Sequence, residues 1–276
     1  MGLLKPKSGY VKVFGEIPGV KPQIILLPFP QSNVSADRWR AETRGATVTI
    51  ISGVIPQKHG ALQRLHEQLR HEIFHFWLPN AVNLSGNYAW FYEGFTIYQA
   101  LKTGVELNQI RFEDYLNTLS RAYDIVRGDA NGQGISLIEA SQKRWAGASN
   151  FVYAKGLLVA FLCDVAMLRE SKGKRSVKGI FLLVYTKHRF PAQIQDGNSA
   201  ITGILKSYPE LNLIVQKYVE GKSEIEWREY LEAAGIEPET TGITQLKVKA
   251  NLSGRQKDLL DDLGYNHWRK LLQKKK

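Results

Sequence analysis

The sequence is poor in cysteine and lacks an apolar run long enough to cross a membrane. Its 276 residues include one cysteine, Cys163, so an internal disulfide is excluded, and its apolar surroundings predict a buried structural thiol. The longest apolar stretch, residues 156–168, is interrupted by Asp164 and predicts a core helix rather than a transmembrane one.

The first residues predict no secretory leader. The first ten residues, MGLLKPKSGY, contain two lysines but no apolar h-region. We therefore expect a cytoplasmic protein by default, unless the natural chain begins further upstream. No feature of the sequence sets an oligomeric state.

Acidic residues are outnumbered by basic ones, and the net charge is +11. Much of the positive excess lies near the two ends of the chain, and no basic segment is interleaved with aromatic residues as in a base-stacking platform. We expect no nucleic-acid partner. The hydrophobic content of 43% and the aromatic content of 11% instead predict a folded protein with a substantial core.

Glycine and proline divide the first 58 residues into short segments, which predict strands at 10–14, 23–27 and 46–51. In the third segment threonines alternate with valine and isoleucine, and this pattern predicts one packed face and one solvated face. Helical periodicity dominates from residue 61 onward, with predicted helices at 61–78, 87–103, 112–127, 150–170, 175–187, 198–206, 209–219 and 224–234. The predicted helix stops are Gly104, Gly128, Gly173, Gly221 and Gly235.

These patterns predict the α+β fold class. A small N-terminal mixed β-sheet in residues 1–58 is followed by a mostly helical body in residues 59–236. A basic C-terminal extension occupies residues 237–276.

The segment LRHEIFHFWLPN carries two histidines four residues apart. On a helix with about 100° per residue, His71 and His75 lie one turn apart on the same side, and Glu72 lies on the flank. The opposite side is an apolar stripe that should face the core, formed by Leu62, Leu65, Leu69, Ile73 and Phe76.

Two imidazoles at this spacing can bind one metal ion, and zinc suits such nitrogen ligands best. A glutamate next to the first histidine points about 100° away from it around the helix, so it is poorly placed to be a ligand. It can instead take a proton from a water on the metal. His71, His75 and Glu72 therefore indicate a hydrolytic metal site. The alternative is a helix whose histidines are merely packed or hydrogen-bonded.

A candidate third ligand, Glu93, lies in the aromatic segment AWFYEGFTIY. An unpaired carboxylate would be costly to bury there, and a metal ion would remove that cost. Gly94 leaves a gap for the close approach of another element. The alternative is a glutamate at the edge of a helix that reaches solvent.

The segments HEIFHFWLPN and WFYEGFTIY together resemble the gluzincin signature H-E-x-x-H-x-W-x-x-N…W-x-x-E-G of the aminopeptidase N-like and glycyl aminopeptidase families. The resemblance implies a thermolysin-like (zincin) catalytic domain over residues 59–236, with the N-terminal strands as part of the same unit. It also implies that His71, His75 and Glu93 hold one zinc ion and that Glu72 is the general base. The further matching positions are Trp77, Asn80, Trp90 and Gly94.

Further along, SNFVYAKG resembles the Y-x-K-G segment of these families, whose tyrosine hydrogen-bonds the tetrahedral intermediate. Tyr153 is the matching residue. Ser149 or Asn150 can cap a new helix and so place the phenol in its first turn. The alternative is a tyrosine packed in an aromatic core.

The sequence also departs from the resemblance. The G-x-M-E-N motif that holds a substrate α-amine is missing from RAETRGATVTIISG, where Glu42 is the nearest acidic residue. The strand at 46–51 could nevertheless pair its edge with an extended peptide. Seventeen residues separate His75 from Glu93, one fewer than is usual in the aminopeptidase N-like enzymes, and a loop at 84–87 could absorb the difference.

The predicted function is a zinc-dependent, aminopeptidase-like peptide hydrolase that acts on a peptide or protein substrate. Glu72 would activate the water and Tyr153 would stabilise the oxyanion. The alternative is a catalytically inert gluzincin-like scaffold that binds a peptide or protein.

Overall fold

A computed structural model describes residues 5–16, 21–30, 35, 38–239 and 244–265 of the chain. The first part contains α1 (Lys5–Phe14), β1 (Gln23–Pro28), β2 (Trp39–Arg44), β3 (Thr47–Ser52), α2 (Lys58–Phe74) and β4 (Leu84–Ser85). A π-helical turn (Trp90–Phe95), α3 (Thr96–Glu106), α4 (Phe112–Gly128), α5 (Leu137–Gln142), a 3-10 turn (Arg144–Ala146), α6 (Ser149–Ser171) and α7 (Val177–His188) follow. The last part contains β5 (Gln195–Asp196), α8 (Gly197–Lys206), a 3-10 turn (Pro209–Leu211), α9 (Asn212–Ile214), a second π-helical turn (Val215–Glu220), α10 (Arg228–Ala233), β6 (Ile236–Glu239), β7 (Gln245–Val248) and α11 (Gly254–Leu263).

The N-terminal sheet is mixed, with strand order β1-β3-β2. β3 pairs in parallel with β1 and antiparallel with β2. Val48 and Ile50 on β3 are buried, whereas Thr47 and Thr49, which alternate with them, are only partly covered, as the alternation predicts. The buried face packs on α2. A small mixed sheet beside a mostly helical body confirms the α+β fold class.

The strand predicted at residues 10–14 is wrong, because this segment is the end of helix α1. Tyr10, Val13 and Phe14 are all buried, and their spacing of three and four residues places them on one helix face. Tyr10 packs edge-on against Phe74, and Phe14 stacks on Trp77 with ring centroids 5.1 Å apart. Burial against α2 therefore decides the conformation, against the local preference of these residues for strands.

Several predicted helix limits also need correction. Gly104 does not end the second predicted helix but lies inside α3, close against the Arg70 side chain. The helix predicted at 209–219 is divided into a 3-10 turn, a short α-helix and a π-helical turn. The helix predicted at 224–234 is shortened to α10. On α2, Leu62 is exposed, so the core stripe begins further along this helix.

Helix α6 lies at the centre of the core. All its residues from Phe151 to Leu168 are buried except Tyr153, and Cys163 is fully buried as predicted. Asp164, also fully buried, accepts hydrogen bonds from Lys102 and Tyr98 and from the backbone of Val177. By length and composition α6 is the one helix of the described residues that could cross a membrane, and 94% of its most apolar window is buried inside the protein. This burial confirms the core-helix prediction.

The described part of the C-terminal region forms regular elements. Strands β6 and β7 pair antiparallel, and β7 packs on α4. Helix α11 begins after Ser253, whose side chain caps it, and it contacts α6. The lysine-rich end, from residue 266 onward, lies outside the described residues.

Candidate metal centre

The two histidines of HEIFH lie at the end of α2. The regular helix ends at Phe74, but His75 keeps a right-handed helical conformation, with φ −64° and ψ −14°. The two side chains therefore remain on one side, one turn apart, as predicted. Their Nε2 atoms are 3.0 Å apart, and the rings are perpendicular with centroids 4.6 Å apart.

Glu93 comes from the π-helical turn Trp90–Phe95, which leads directly into α3. Its Oε2 lies 3.0 Å from His71 Nε2 and 3.5 Å from His75 Nε2. The turn packs on α6 at Gly94, where an added Cβ would lie 2.4 Å from Gly156 Cα. The predicted close approach at Gly94 thus sets the position of the neighbouring carboxylate.

Which nitrogen of His75 carries the proton indicates whether the cluster can accept a cation. His75 Nδ1 lies 2.9 Å from the carbonyl oxygen of Leu78, which can only accept, so Nδ1 carries a proton. In the neutral ring, Nε2 then presents a lone pair toward His71 and Glu93. One cation between these three atoms, a proton or a metal ion, would satisfy all of them.

The dimensions of the cluster also suit a metal ion. Ligands about 2.0–2.1 Å from a tetrahedral zinc ion stand about 3.3 Å apart. The three separations here are 3.0, 3.0 and 3.5 Å. His71, His75 and Glu93 are the one group of metal-ligating residues within the described ranges that is this compact, and they could hold one ion.

Burial and charge act in opposite directions on this cluster. Burial raises the pKa of Glu93, but hydrogen bonds and charge from His71 and His75 outweigh it and hold the pKa well below its usual value. Burial lowers the pKa of His75, and the hydrogen bond and charge of Glu93 reverse this effect, so that the pKa is raised. The carboxylate is therefore kept ionised and available as a ligand.

Glu72 lies beside the histidines and is oriented by the sheet. The hydroxyl of Thr43, on β2, donates to Glu72 Oε2 at 2.6 Å. The amide nitrogen of Asn80 lies 3.4 Å from the carbonyl oxygen of Gly45, which ties the segment after α2 to the β2–β3 turn. The hydrogen bond from Thr43 holds the carboxylate of Glu72 against one end of β2.

Tyr153 contacts the cluster both through Arg144 and through a hydrogen bond with Glu93. Arg144 Nη2 donates to the Tyr153 hydroxyl oxygen at 2.7 Å and lies 3.0 Å from Glu93 Oε1. Burial, supported by the charge of Glu93, raises the pKa of Tyr153 and keeps the phenol neutral. The predicted cap is wrong, because α6 begins at Ser149, has Ala148 at the N-cap and receives no side-chain cap. Tyr153 consequently lies in the second helical turn.

Sequence reasoning missed Arg144 and Thr43. Both are far from the candidate metal ligands along the chain, and neither belongs to a recognisable spacing. Both matched tryptophans have structural contacts: Trp77 donates to the carbonyl oxygen of Glu16, and Trp90 donates to Asn198 Oδ1 at 2.8 Å.

The expectation that the strand at 46–51 offers an edge is wrong. β3 is paired on both sides, so it has no edge to offer. Within the described residues, the unpaired edge next to Glu72 belongs to β2, which the sequence reading did not predict. Glu42 lies on β2, but its side chain is exposed and pairs with Arg44.

Comparison with known proteins supports the fold alone. No family model matches the chain, and no curated protein matches it. Among solved structures, the crystal structure of an aminopeptidase N family protein from Idiomarina loihiensis is similar, with a TM-score of 0.74 and 16% sequence identity. The match covers 92% of this chain but 47% of that one, so this chain spans about half the length of the similar protein. The fold is therefore peptidase-like.

Proposed function

We propose that this chain is a zinc-dependent peptide hydrolase of the aminopeptidase-like kind, with a thermolysin-like catalytic domain. One zinc ion would be held by His71, His75 and Glu93. The observation that carries the proposal is that ligand atoms of His71, His75 and Glu93 converge on one point. The other ring nitrogen of His75 is hydrogen-bonded to the carbonyl oxygen of Leu78. The likeness to an aminopeptidase N family structure supports a peptidase-like fold.

A bound zinc ion would lower the pKa of a water molecule to about 7 and polarise the peptide carbonyl. Glu72, oriented by Thr43, accepts a proton from the attacking water and returns it to the leaving amine. The hydroxyl oxygen of Tyr153 accepts from Arg144, and its own proton is directed at Glu93. That proton would turn from Glu93 to the oxygen that gains negative charge.

The substrate approach follows from the exposure of the cluster. The side chain of His71 is 19% exposed, whereas those of His75 and Glu93 are both 9% exposed. Solvent therefore reaches the cluster from the His71 side. The outer edge of β2 ends beside Glu72, and an extended peptide that adds to this edge would bring a peptide bond to the carboxylate.

The test begins with the metal content of the purified protein. Cleavage of aminoacyl amides and quenched peptides is then measured with and without a chelator. The Glu72→Gln variant should keep its zinc and lose turnover by a factor of at least about 100, the usual contribution of a general base. Glu67→Gln, an exposed change on the same helix, should keep both zinc and turnover.

Two results would contradict parts of this proposal. A Glu72→Gln protein that is still active would refute the assignment of the base. A protein that binds zinc but cleaves nothing across the panel would favour the inert, peptide-binding scaffold.

A further inference from the structure

Arg144 is the one arginine or lysine of the described residues that pairs with Glu93. It lies on the 3-10 turn between α5 and α6, and its side chain is 10% exposed. Nη2 lies 3.0 Å from Glu93 Oε1 and donates to the Tyr153 oxygen at 2.7 Å. Nη1 donates to the hydroxyl oxygen of Tyr92 at 3.0 Å. One guanidinium therefore connects three side chains around the metal centre.

The two oxygens of Glu93 have different partners. Oε2 lies beside His71 and His75, and Oε1 pairs with Arg144. A carboxylate held in this way presents a single oxygen toward the imidazoles and cannot rotate without breaking the pair. The planar fork of an arginine suits this geometry, because it offers several donors in fixed directions.

Aromatic rings fix the position of the guanidinium. Its central carbon lies 4.5 Å from the ring centroid of Trp145, 5.2 Å from that of Tyr153 and 5.8 Å from that of Tyr92. Contacts with three rings, two of which also accept hydrogen bonds through their hydroxyls, restrict the cation more than an isolated ion pair would. This restriction indicates a positioning role in addition to charge neutralisation.

We propose that Arg144 is a positioning residue. It holds the side chains of Glu93 and Tyr153 in fixed positions relative to the two histidines. The inference rests on the proposed zinc site and extends it to the residues that support a ligand. Partners of metal ligands outside the first coordination sphere typically change metal affinity by about 10- to 100-fold when they are removed. The same loss is expected here.

The experiment compares Arg144→Met and Arg144→Lys with the wild-type chain. Zinc affinity is measured by competition with a chelator, and the visible spectrum of the cobalt-substituted protein reports the ligand geometry. Thermal unfolding of the metal-free forms reports folding separately. The matched control is Arg169→Met, which removes an arginine that pairs with Glu229 at the protein surface.

Arg144→Met should bind zinc about 10- to 100-fold more weakly and alter the cobalt spectrum, while the control stays within about twofold of the wild type. Arg144→Lys keeps the charge but loses the fork, so its affinity should also fall and its spectrum should also change. If Arg144→Met does not fold, the zinc affinity and the cobalt spectrum of Arg144→Lys test the proposal.

The outcomes separate this inference from the proposed function. Wild-type affinity and an unaltered cobalt spectrum in Arg144→Lys would overturn positioning by the fork and leave the zinc site intact. A wild-type chain that binds no zinc would overturn both proposals. If the wild-type chain binds zinc but cleaves no peptide, the proposed function fails. The role of Arg144 is still tested by the difference in zinc affinity between the wild type and its variants.

Discussion

The contact between Gly94 and Gly156 links core packing to the candidate metal centre, and Gly94→Ala would disturb both. An added Cβ at Gly94 would lie 2.4 Å from Gly156 Cα, 2.5 Å from its carbonyl carbon and 2.9 Å from the backbone nitrogen of Leu157. All three obstacles are backbone atoms, which cannot rotate away as a flexible side chain can. The π-helical turn and α6 must therefore separate.

The size of the separation follows from these distances. Ordinary contact begins at 3.4 Å, so the two elements must move apart by about 1 Å. Overpacking of this kind typically costs about 1–3 kcal/mol of folding free energy. Glu93 directly precedes Gly94, and a shift of about 1 Å exceeds the roughly 0.2 Å tolerance of a metal–ligand distance. Gly94→Ala should therefore lose stability and zinc affinity together.

The assay is urea denaturation of the metal-free protein, combined with zinc competition. Gly179→Ala and Gly203→Ala are the controls, because each replaces a helical glycine whose added Cβ meets no described heavy atom within 4 Å. In a helix such a change should stabilise the protein by up to about 1 kcal/mol. If Gly94→Ala proves as stable as these controls and binds zinc like the wild type, the packing argument is refuted.

Three other predictions concern groups in and around α6. Lys102→Met leaves the fully buried charge of Asp164 without its cation and should lower the free energy of unfolding, measured by urea denaturation, by about 3–5 kcal/mol. Lys178→Met, in a more exposed ion pair, should lower it by less than about 1 kcal/mol. Equal losses in the two variants would contradict this prediction. Burial lowers the pKa of Lys155 from 10.5 to about 8, so the folded state carries the cost of the buried charge below pH 8. Stability should rise between pH 8 and 10.5, where the folded state releases its proton before the unfolded chain does, and Lys155→Met should remove this rise from the urea midpoints. Burial also raises the pKa of Cys163, the single thiol, which should react with a thiol reagent only after unfolding; rapid labelling of the native protein would contradict its burial.

Local spacing was sufficient to predict that the two histidines of the candidate site lie together. His71 and His75 are separated by one helical turn, a distance that the helix itself sets whatever surrounds it. The conformation of His75 preserves this relation even though the regular helix ends one residue earlier. Glu93 was predicted from the cost of burying a carboxylate among aromatic residues, and it is indeed buried. The identity of the ion and the roles of these residues stay predictions.

Strand edges and helix ends were harder to predict. β2 consists of polar and charged residues in the order WRAETR, and exposed strands of this kind have little hydrophobic alternation to reveal them. Its conformation depends on pairing with β3. The segment of Tyr10 has strand-forming residues, yet packing on α2 makes it helical. In both cases tertiary contacts override local preference.

The residues that hold the site's glutamates in place were the hardest to recognise in the sequence, for a physical reason. A ligand is recognisable because its residue type and spacing are limited by the chemistry of the ion. A residue that holds the ligand needs only to bring a donor to the right point, from any element that passes nearby. Thr43 comes from a strand and Arg144 from a short 3-10 turn, and each contacts its glutamate only after the chain has folded. Such residues are found from distances rather than from motifs, so the clearest experimental target that the structure adds is Arg144.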